Sequence, residues 1–383
     1  MPRLPVSRSL APWFCALALG LGACDGGPLS EPCDDADPTC GPSREVVAGV
    51  DLTALFMAPT SGEVGAALEA VAAEERARAV EAVATVDLGG RETVTVLRGG
   101  DASAAEARFV GAVRQPPRAS GDVRRRPLLL VLWDGLDADL DEVVDALPVR
   151  EAVRDAAVLV FAAPRGGSLR VAGETVASSA DADLLSPTTA RDALALLDYV
   201  RARASTFDAD PARVGIVGYG TGGHTALAAG GRTDLDRLLV SIAAPTSLFV
   251  SSVRDAARRS LRDEPVGAFP GLADALDATA GRVRDGDLSI SAARTAMLVR
   301  SPAFLQLAPG ATPGYLFAVH GRTDTDVPPD HGDALGDAAR RPYGVYLALP
   351  ATNHRTVLQD AEVNGTTAAL LCEYVLAGDP ACS

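Results

Sequence analysis

The side chains best suited to catalysis or metal binding are the histidines and the aspartates that lie near them in the sequence. The histidines are His224, His320, His331 and His354. Imidazole nitrogens and carboxylates bind divalent metals, and the same groups carry out general acid–base catalysis. The spacing of these histidines relative to Asp324, Asp326 and Asp330 matches no metal-binding signature. The sequence therefore predicts no metal site and no cofactor.

A glycine-rich stretch between two regular elements is the second feature. Val214, Ile216 and Val217 form a short run of β-favouring residues, and residues 224–229 are compatible with a helix of small side chains. The glycines between them lie where a side chain would clash or where φ must be unusual. The stretch predicts a strand, a sharp turn and a helix in immediate succession.

That turn, Gly218-Tyr219-Gly220-Thr221-Gly222, resembles the G-x-S-x-G nucleophile elbow of α/β-hydrolases. Further segments resemble the dienelactone hydrolase and prolyl-oligopeptidase-like branches of this superfamily. They are the D-P-x-R-V lead-in within Phe207–Val214, Arg300-Ser301-Pro302, the H-G-x-x-D-x-x-V-P segment His320–Pro328, and Asn353-His354 after the last predicted strand. The resemblance covers roughly residues 107–377 and implies the α/β-hydrolase fold, with nucleophile, acid and histidine in the family's order along the chain.

The resemblance assigns two catalytic roles. Asp324 maps to the acid that orients the imidazole, and His354 maps to the general base. The alternatives are an aspartate that caps the turn after a strand and an exposed loop histidine. Asp326 is the second candidate for the acid, and His320 is expected to be a packing residue.

The nucleophile is missing from this constellation, because Gly220 stands where the family holds its serine and has no side chain to attack an acyl carbon. Thr221 is expected to begin the helix and to contribute its backbone N–H to the oxyanion hole. Gly135 corresponds to the other oxyanion contributor. Its neighbour Asp134 replaces the family's histidine, and a carboxylate there would oppose a developing oxyanion.

The elements that position these residues read as a mostly parallel sheet covered by helices. Residues 93–97 and 107–113 predict an antiparallel pair of strands. Runs that are apolar on both faces predict buried strands at residues 127–133, 157–161, 214–217, 238–242, 315–319 and 345–349. We predict amphipathic helices at residues 62–83 and 191–204, the latter entering near Ser186-Pro187. Residues 245–301, after the sixth strand, carry helical segments without a strand signal and predict either a small cap or a surface insertion.

The amino terminus predicts export. Arg3 and Arg8 precede an apolar run at residues 10–21, and Leu21-Gly22-Ala23-Cys24 resembles the lipobox of bacterial lipoproteins. We expect a signal peptide over 1–23, acylation of Cys24, an acidic tether over 24–46 and one hydrolase domain over 47–383. An ordinary secretory signal is the alternative. The sequence predicts a lipid-anchored protein of the cell envelope, and no membrane-spanning helix follows Cys24.

The remaining cysteines suit an oxidising compartment, since export permits disulfides. Cys33, Cys40, Cys372 and Cys382 allow three pairings. We favour Cys33 with Cys40 and Cys372 with Cys382, because each pair is close in sequence.

Composition excludes one class of partner. The chain of 383 residues has a net charge of −15, which repels nucleic acid. The sequence thus predicts an exported pseudo-hydrolase that binds a small ligand, a peptide or a protein partner. The alternatives are a weakly active esterase or peptidase that uses water or Thr221 with His354 and Asp324, and a purely structural envelope protein.

Overall fold

A computed structural model describes residues 44–73, 78–89, 92–101, 108–117, 124–147, 155–179, 182–230, 238–267, 269–306, 314–339, 344–379 and 382. The predicted signal peptide, the lipidation site Cys24 and the pair Cys33 and Cys40 lie outside these residues. Within them, no helix is both long and apolar enough to cross a bilayer.

The strands alternate with helices through most of the chain. They are β1 (Val46–Val47), β2 (Val50–Asp51), β3 (Arg78–Gly89), β4 (Glu92–Asp101), β5 (Arg108–Gln115), β6 (Arg126–Leu132), β7 (Asp137–Asp139), β8 (Val158–Ala162), β9 (Ser168–Val171), β10 (Glu174–Ala177), β11 (Ala209–Tyr219), β12 (Leu238–Ile242), β13 (Tyr315–Gly321) and β14 (Gly344–Leu349).

The helices are α1 (Leu52–Leu55), α2 (Ser61–Ala73), α3 (Leu140–Ala146), α4 (Pro187–Ala202), α5 (Thr221–Gly230), α6 (Ser251–Ser260), α7 (Leu272–Leu276), α8 (Arg282–Arg284), α9 (Ile290–Val299), α10 (Pro302–Gln306), α11 (Asp330–Ala339) and α12 (Ala361–Tyr374). A π-helical turn, Asp277–Gly281, joins α7 to α8, and a 3-10 turn, Thr356–Gln359, precedes α12.

The main sheet has the strand order β14-β13-β12-β11-β6-β8-β5-β4-β3. The strands from β14 to β8 pair in parallel, whereas β8, β5, β4 and β3 pair antiparallel. The mostly parallel sheet and the opening antiparallel strands are confirmed. Because all parallel strands run the same way, the loops that leave their carboxyl ends gather at one edge, where ligand sites of open α/β sheets lie.

Both faces of this sheet are buried, which explains the apolar runs. In β6, Leu129 and Val131 pack into the core on one face. Leu128 and Leu130, which alternate with them, pack into the core on the other. Side chains alternate across a strand, so a strand covered on both sides needs apolar residues at every position.

One predicted element is wrong in its second half. The helix expected at residues 62–83 ends at Ala73, and Val80 and Val83 belong to β3 at the edge of the sheet. Residues 78–89 pair antiparallel with β4. Their β-branched side chains favour a strand, and the apolar periodicity of the preceding helix concealed the change. The helix at 191–204 is confirmed as α4, with Ser186 accepting a hydrogen bond from the Thr188 N–H.

The helical insertion, residues 245–301, forms a separate hydrophobic core with the N-terminal arm, residues 44–73. Val50, Leu52 and Leu55 of the arm pack with Val253 and Met297 of the insertion. The absence of strands in the described part of the insertion agrees with the sequence. Its role as a cap stays a prediction.

Arg294 joins the arm to the insertion. Its guanidinium donates to both carboxylate oxygens of Glu63, at 2.6 and 3.0 Å, and to the carbonyl oxygens of Ala54, Leu55 and Met57. The Arg294 side chain is 4% exposed. Hydrogen bonds from Arg294 lower the pKa of Glu63 to about 2, against the opposing effect of burial.

Near the carboxyl terminus, a disulfide joins Cys372 and Cys382. This pairing is the one that the sequence favours for these two cysteines, and it is confirmed. The bond ties α12 to the segment that follows it.

We predict that Arg294→Met lowers the free energy of unfolding by about 3 kcal/mol, because it leaves a partly buried carboxylate and three carbonyl oxygens without their donor. Urea denaturation followed by circular dichroism measures the change. Arg259→Met, at an exposed position of α6, is the matched control and should change stability by less than about 0.5 kcal/mol. Equal losses in the two variants would contradict this account of the arm.

Candidate active site

The glycine turn has the geometry of a nucleophile elbow. Strand β11 ends at Tyr219, helix α5 begins at Thr221, and Gly220 between them has φ of +57°. This left-handed conformation is the strained one from which an elbow presents its side chain. A Cβ atom on Gly222 would overlap the backbone at Leu132 and Trp133, so a glycine is required there for α5 to approach the end of β6. The predicted strand, turn and helix are therefore present.

Asp324 and His354 are brought together as predicted. The Asp324 carboxylate follows β13, and its Oδ2 accepts a hydrogen bond from His354 Nδ1 at 2.9 Å. Its Oδ1 accepts from the backbone N–H groups of Asp326 and Val327, each at 2.9 Å. The Asp324 side chain is fully buried. Asp326, the second candidate for the acid, is exposed and supplies only this backbone donor.

A second carboxylate completes the group, at a position that the sequence alone did not predict. Oδ2 of Asp134 lies 3.2 Å from His354 Nε2. Oδ1 accepts the Thr221 backbone N–H at 2.8 Å and the Thr221 hydroxyl at 2.9 Å. A Cβ atom on Gly220 would overlap this carboxylate. Asp134 thus fills the space beside the elbow into which a nucleophilic side chain would project.

The loop that carries Asp134 is fixed at both ends. It leaves β6 through Trp133, turns at Gly135 with φ of +77°, and enters β7. Beyond the turn, the Leu136 carbonyl accepts from Ser168 N–H at 2.9 Å, and β7 pairs in parallel with β9. The carboxylate is therefore held by backbone structure on the far side of the turn as well as by its own hydrogen bonds.

Both predicted oxyanion donors are already occupied. The Thr221 N–H bonds Asp134, and the Gly135 N–H donates to Thr221 Oγ1 at 3.0 Å. Besides the charge that the sequence predicts would oppose a developing oxyanion, the Asp134 carboxylate takes the amide that an oxyanion would use.

Each ring nitrogen of His354 faces a carboxylate oxygen, and this arrangement favours a proton on both nitrogens. Burial by itself lowers the pKa of His354, but hydrogen bonds and charge from Asp134 and Asp324 outweigh it and raise the pKa to about 9. Burial raises the pKa of Asp134, yet the donors from His354 and Thr221 leave it lowered overall. The group is an imidazolium between two carboxylates.

Tyr219 holds His354 in place through a hydrogen bond and a ring contact. Its hydroxyl donates to the His354 carbonyl oxygen at 3.0 Å, and the two rings are 4.9 Å apart between centroids. The Trp133 ring lies 5.1 Å from the Tyr219 ring. Burial and the nearby carboxylates raise the pKa of Tyr219, so it remains a neutral donor. Position 219 is the variable residue of the elbow pattern, so sequence reasoning had no signal for it.

The other histidines have structural contacts. His224 Nδ1 donates to the Pro245 carbonyl at 2.7 Å, and His320 Nε2 donates to the Val327 carbonyl at 2.9 Å. His331 Nδ1 accepts the Thr246 N–H at 3.2 Å. Burial lowers the pKa of His224 to about 4 and that of His331 to about 3. Among the described residues, no group of three or more potential ligands is arranged to hold a metal ion.

A small cleft borders the group on the Thr221 side. It contains about 260 Å³ of empty space, including open solvent, and its enclosed part has room for one water molecule at most. Its lining is mostly apolar, with three threonines. The lining residues are Leu132, Trp133, Ala162, Ala163, Pro164, Leu184, Thr189, Ala193, Thr221, Gly222 and Thr225.

The fold is that of the α/β-hydrolases. Acetyl xylan esterase 1 from Thermoanaerobacterium sp. is 15% identical, with a TM-score of 0.50 over 76% of this chain and 87% of that one. An acetyl xylan esterase from Paenibacillus sp. R4 is 14% identical, with a TM-score of 0.49 over 80% and 94%. An S-formylglutathione hydrolase from Agrobacterium tumefaciens is 14% identical, with a TM-score of 0.47 over 77% and 99%. No family profile and no curated protein matches the sequence. The likeness to acetyl xylan esterase 1 bears on the fold alone and leaves the activity open.

We predict that His354 makes stability depend on pH. A folded-state pKa of about 9, above the ordinary 6.5, stabilises the fold fully below about pH 6.5, and this contribution is lost as pH rises through about 9. The difference corresponds to roughly 3 kcal/mol. Urea denaturation of the wild type between about pH 6 and pH 9.5 should show this decline. It should be absent in His354→Gln.

The groups that face His354 are Asp134, Asp324 and Tyr219. Asp134→Asn is therefore the informative second variant, because it removes one carboxylate and retains its size. We expect it to lower the pKa of His354 and to shift the decline toward neutral pH. A wild-type profile that is flat over this range would contradict the ion pair.

Proposed function

We propose that this chain is an exported, lipid-anchored α/β-hydrolase fold that has lost acyl hydrolysis and acts by binding a small ligand, a peptide or a protein partner. The observation that carries this proposal is the Asp134 carboxylate. It overlaps the position of a side chain on Gly220 and bonds both His354 and the Thr221 amide.

Acyl transfer needs a nucleophile, a base to accept its proton and donors for the oxyanion. Gly220 offers no nucleophile. His354 cannot act as a base while both ring nitrogens are protonated and bonded to carboxylates. The Thr221 amide is already paired, and the negative charge of Asp134 repels an oxyanion. Each requirement of serine-type hydrolysis is absent or blocked in this arrangement.

Thr221 is a poor substitute for the missing serine. Its hydroxyl donates to Asp134 Oδ1 and accepts from the Gly135 N–H. Activation by His354 would require this hydroxyl to release its proton to the imidazole, which is already protonated. The water-mediated alternative fails for the same reason, since a neutral imidazole nitrogen is needed to activate water.

The lipid anchor rests on the lipobox-like segment ending at Cys24, and envelope localisation follows from it. The packed arm begins at Glu45, which pairs with Arg254 and Arg258 of α6. The predicted tether over residues 24–46 would therefore join the membrane to the arm and the helical insertion. These faces are the first candidates for a partner-binding surface.

The test removes the Asp134 carboxylate and places a serine at position 220. We predict that the wild type and Gly220→Ser alone show no fluorophosphonate labelling, because the new side chain would collide with Asp134. The double variant Gly220→Ser/Asp134→Ala frees the imidazole and the amide. It should be labelled at position 220 and should hydrolyse p-nitrophenyl acetate about 100-fold faster than the wild type. The double variant Gly220→Ala/Asp134→Ala is the matched control and should do neither.

Two results would overturn the proposal. One is wild-type ester turnover that is lost in both His354→Ala and Thr221→Ala. The other is strong labelling of Gly220→Ser with Asp134 intact, which would mean that the carboxylate does not block the elbow.

A further inference from the structure

One buried histidine holds the segment through which the chain enters the helical insertion. We call residues 245–248, which lie between β12 and α6, the entry segment. The His331 side chain of α11 is fully buried, and its Nδ1 accepts the backbone N–H groups of Thr246 at 3.2 Å and Ser247 at 3.5 Å. The Thr246 hydroxyl donates to the His331 carbonyl oxygen at 2.5 Å. The entry segment is therefore fixed to α11 through both the side chain and the backbone of one residue.

The hydrogen bonds of His331 allow only the neutral ring. Because Nδ1 accepts N–H groups, the proton of the ring is on Nε2. Nε2 is buried, and no described residue accepts a hydrogen bond from it. A second proton, on Nδ1, would displace the amide donors of the entry segment and leave a buried cation without an acceptor. Protonation of His331 is therefore incompatible with the packed entry segment.

The start of α11 also contacts the insertion at two further points. The His331 ring meets the Phe269 ring edge to face, with 5.2 Å between centroids, and Phe269 packs in the core that the insertion forms with the arm. Asp330 accepts the Ser252 N–H at 2.8 Å and the hydroxyls of Ser251 and Ser252. It thereby holds the first turn of α6. Asp330 and His331 together attach the beginning of the insertion to the sheet domain.

We propose that His331 is an acid-sensitive switch, in which protonation of the ring releases the entry segment and lets the helical insertion move away from the sheet. The proposal goes beyond the proposed function, because it assigns a means of regulation to the insertion. It does not require that acyl hydrolysis has been lost.

The ionisable groups near the ring come from three elements and do not prevent this release. They are Asp330 of α11, His320 of β13 with Asp324 after it, and His224 of α5. The two carboxylates favour protonation and the two histidines oppose it, but burial dominates and lowers the pKa of His331 from 6.5 to about 3. A released ring titrates near its ordinary value.

The sign of the pH effect follows from this difference. The ring is neutral when it is packed and takes up a proton when it is released. Its contribution to holding the insertion is complete above about pH 6.5 and is lost as the pH falls toward 3. Each pH unit below about 6.5 favours the released state by up to about tenfold.

Release would also reach the candidate active site. Val327 packs in the core of the arm and the insertion, and its N–H donates to Asp324 Oδ1 at 2.9 Å. The Val327 carbonyl oxygen accepts from His320 Nε2 at 2.9 Å. Loosening this core would weaken the hold on Asp324, whose other oxygen pairs with His354. Acid would thus act on the site through the insertion.

Hydrogen–deuterium exchange of the purified full chain at pH 7 and pH 5 tests the proposal. The readout is the ratio of protection factors at the two pH values, which removes the intrinsic pH dependence of amide exchange. We expect peptides covering residues 246–260 to lose at least about 10-fold in protection at pH 5. Peptides covering β6 and β11, in the centre of the sheet, should change by less than about 2-fold.

His331→Asn is the informative variant, because its side-chain oxygen can accept in place of Nδ1 and does not titrate. Its ratio for residues 246–260 should be less than about 2-fold, even if its protection is lower than that of the wild type at both pH values. His354→Gln is the matched control, since it removes a histidine that is already protonated in the fold. It should lose protection at pH 5 as the wild type does.

The wild-type comparison does not depend on how well any variant folds. Unchanged protection of residues 246–260 at pH 5 would overturn the proposal. An equal loss in β6 and β11 would also overturn it, because the whole domain would then unfold in acid. So would a ratio in His331→Asn equal to that of the wild type. Ester turnover and fluorophosphonate labelling do not enter this experiment, so the two proposals fail separately.

Discussion

The site depends on the Asp134 carboxylate occupying the space that a side chain on residue 220 would need. Because Gly220 has no Cβ, the Asp134 carboxylate can lie against the elbow, and because it lies there, a Cβ on residue 220 would overlap it. The carboxylate then contacts the imidazole of His354 and the amide of Thr221. Asp134 and Asp324 together favour the charged form of His354.

The surrounding fold stabilises this arrangement. The buried Asp324 carboxylate accepts two backbone N–H groups and His354 Nδ1, so its charge has partners even though His354 also contacts Asp134. Tyr219 bonds the His354 carbonyl and contacts its ring, which fixes the imidazole against the strand end. The loop bearing Asp134 is pinned by β7 and β9. The arm and the helical insertion form their own core, and Val327, whose N–H donates to Asp324 Oδ1, packs in it.

The fold was largely readable from the sequence because each parallel strand needs apolar residues on both faces, and such runs stand out. The order of Gly220, Asp324 and His354 could be read from the resemblance, and the structure brings all three together. The edge strand β3 could not be read, since its valines continue the spacing of α2. The sequence indicates Asp134 only as an unfavourable charge. Its contact with His354 joins residues 220 positions apart, and no local pattern encodes that distance.

The central claim is that His354 is an imidazolium held between Asp134 and Asp324, and nitrogen NMR tests it most directly. In a long-range ¹H–¹⁵N spectrum at about pH 7.5, assigned by comparison with His354→Gln, both ring nitrogens of His354 should show the chemical shifts of protonated nitrogen, because its pKa lies near 9. An unprotonated nitrogen shift at this pH would show a neutral ring and contradict the ion pair on which the account rests.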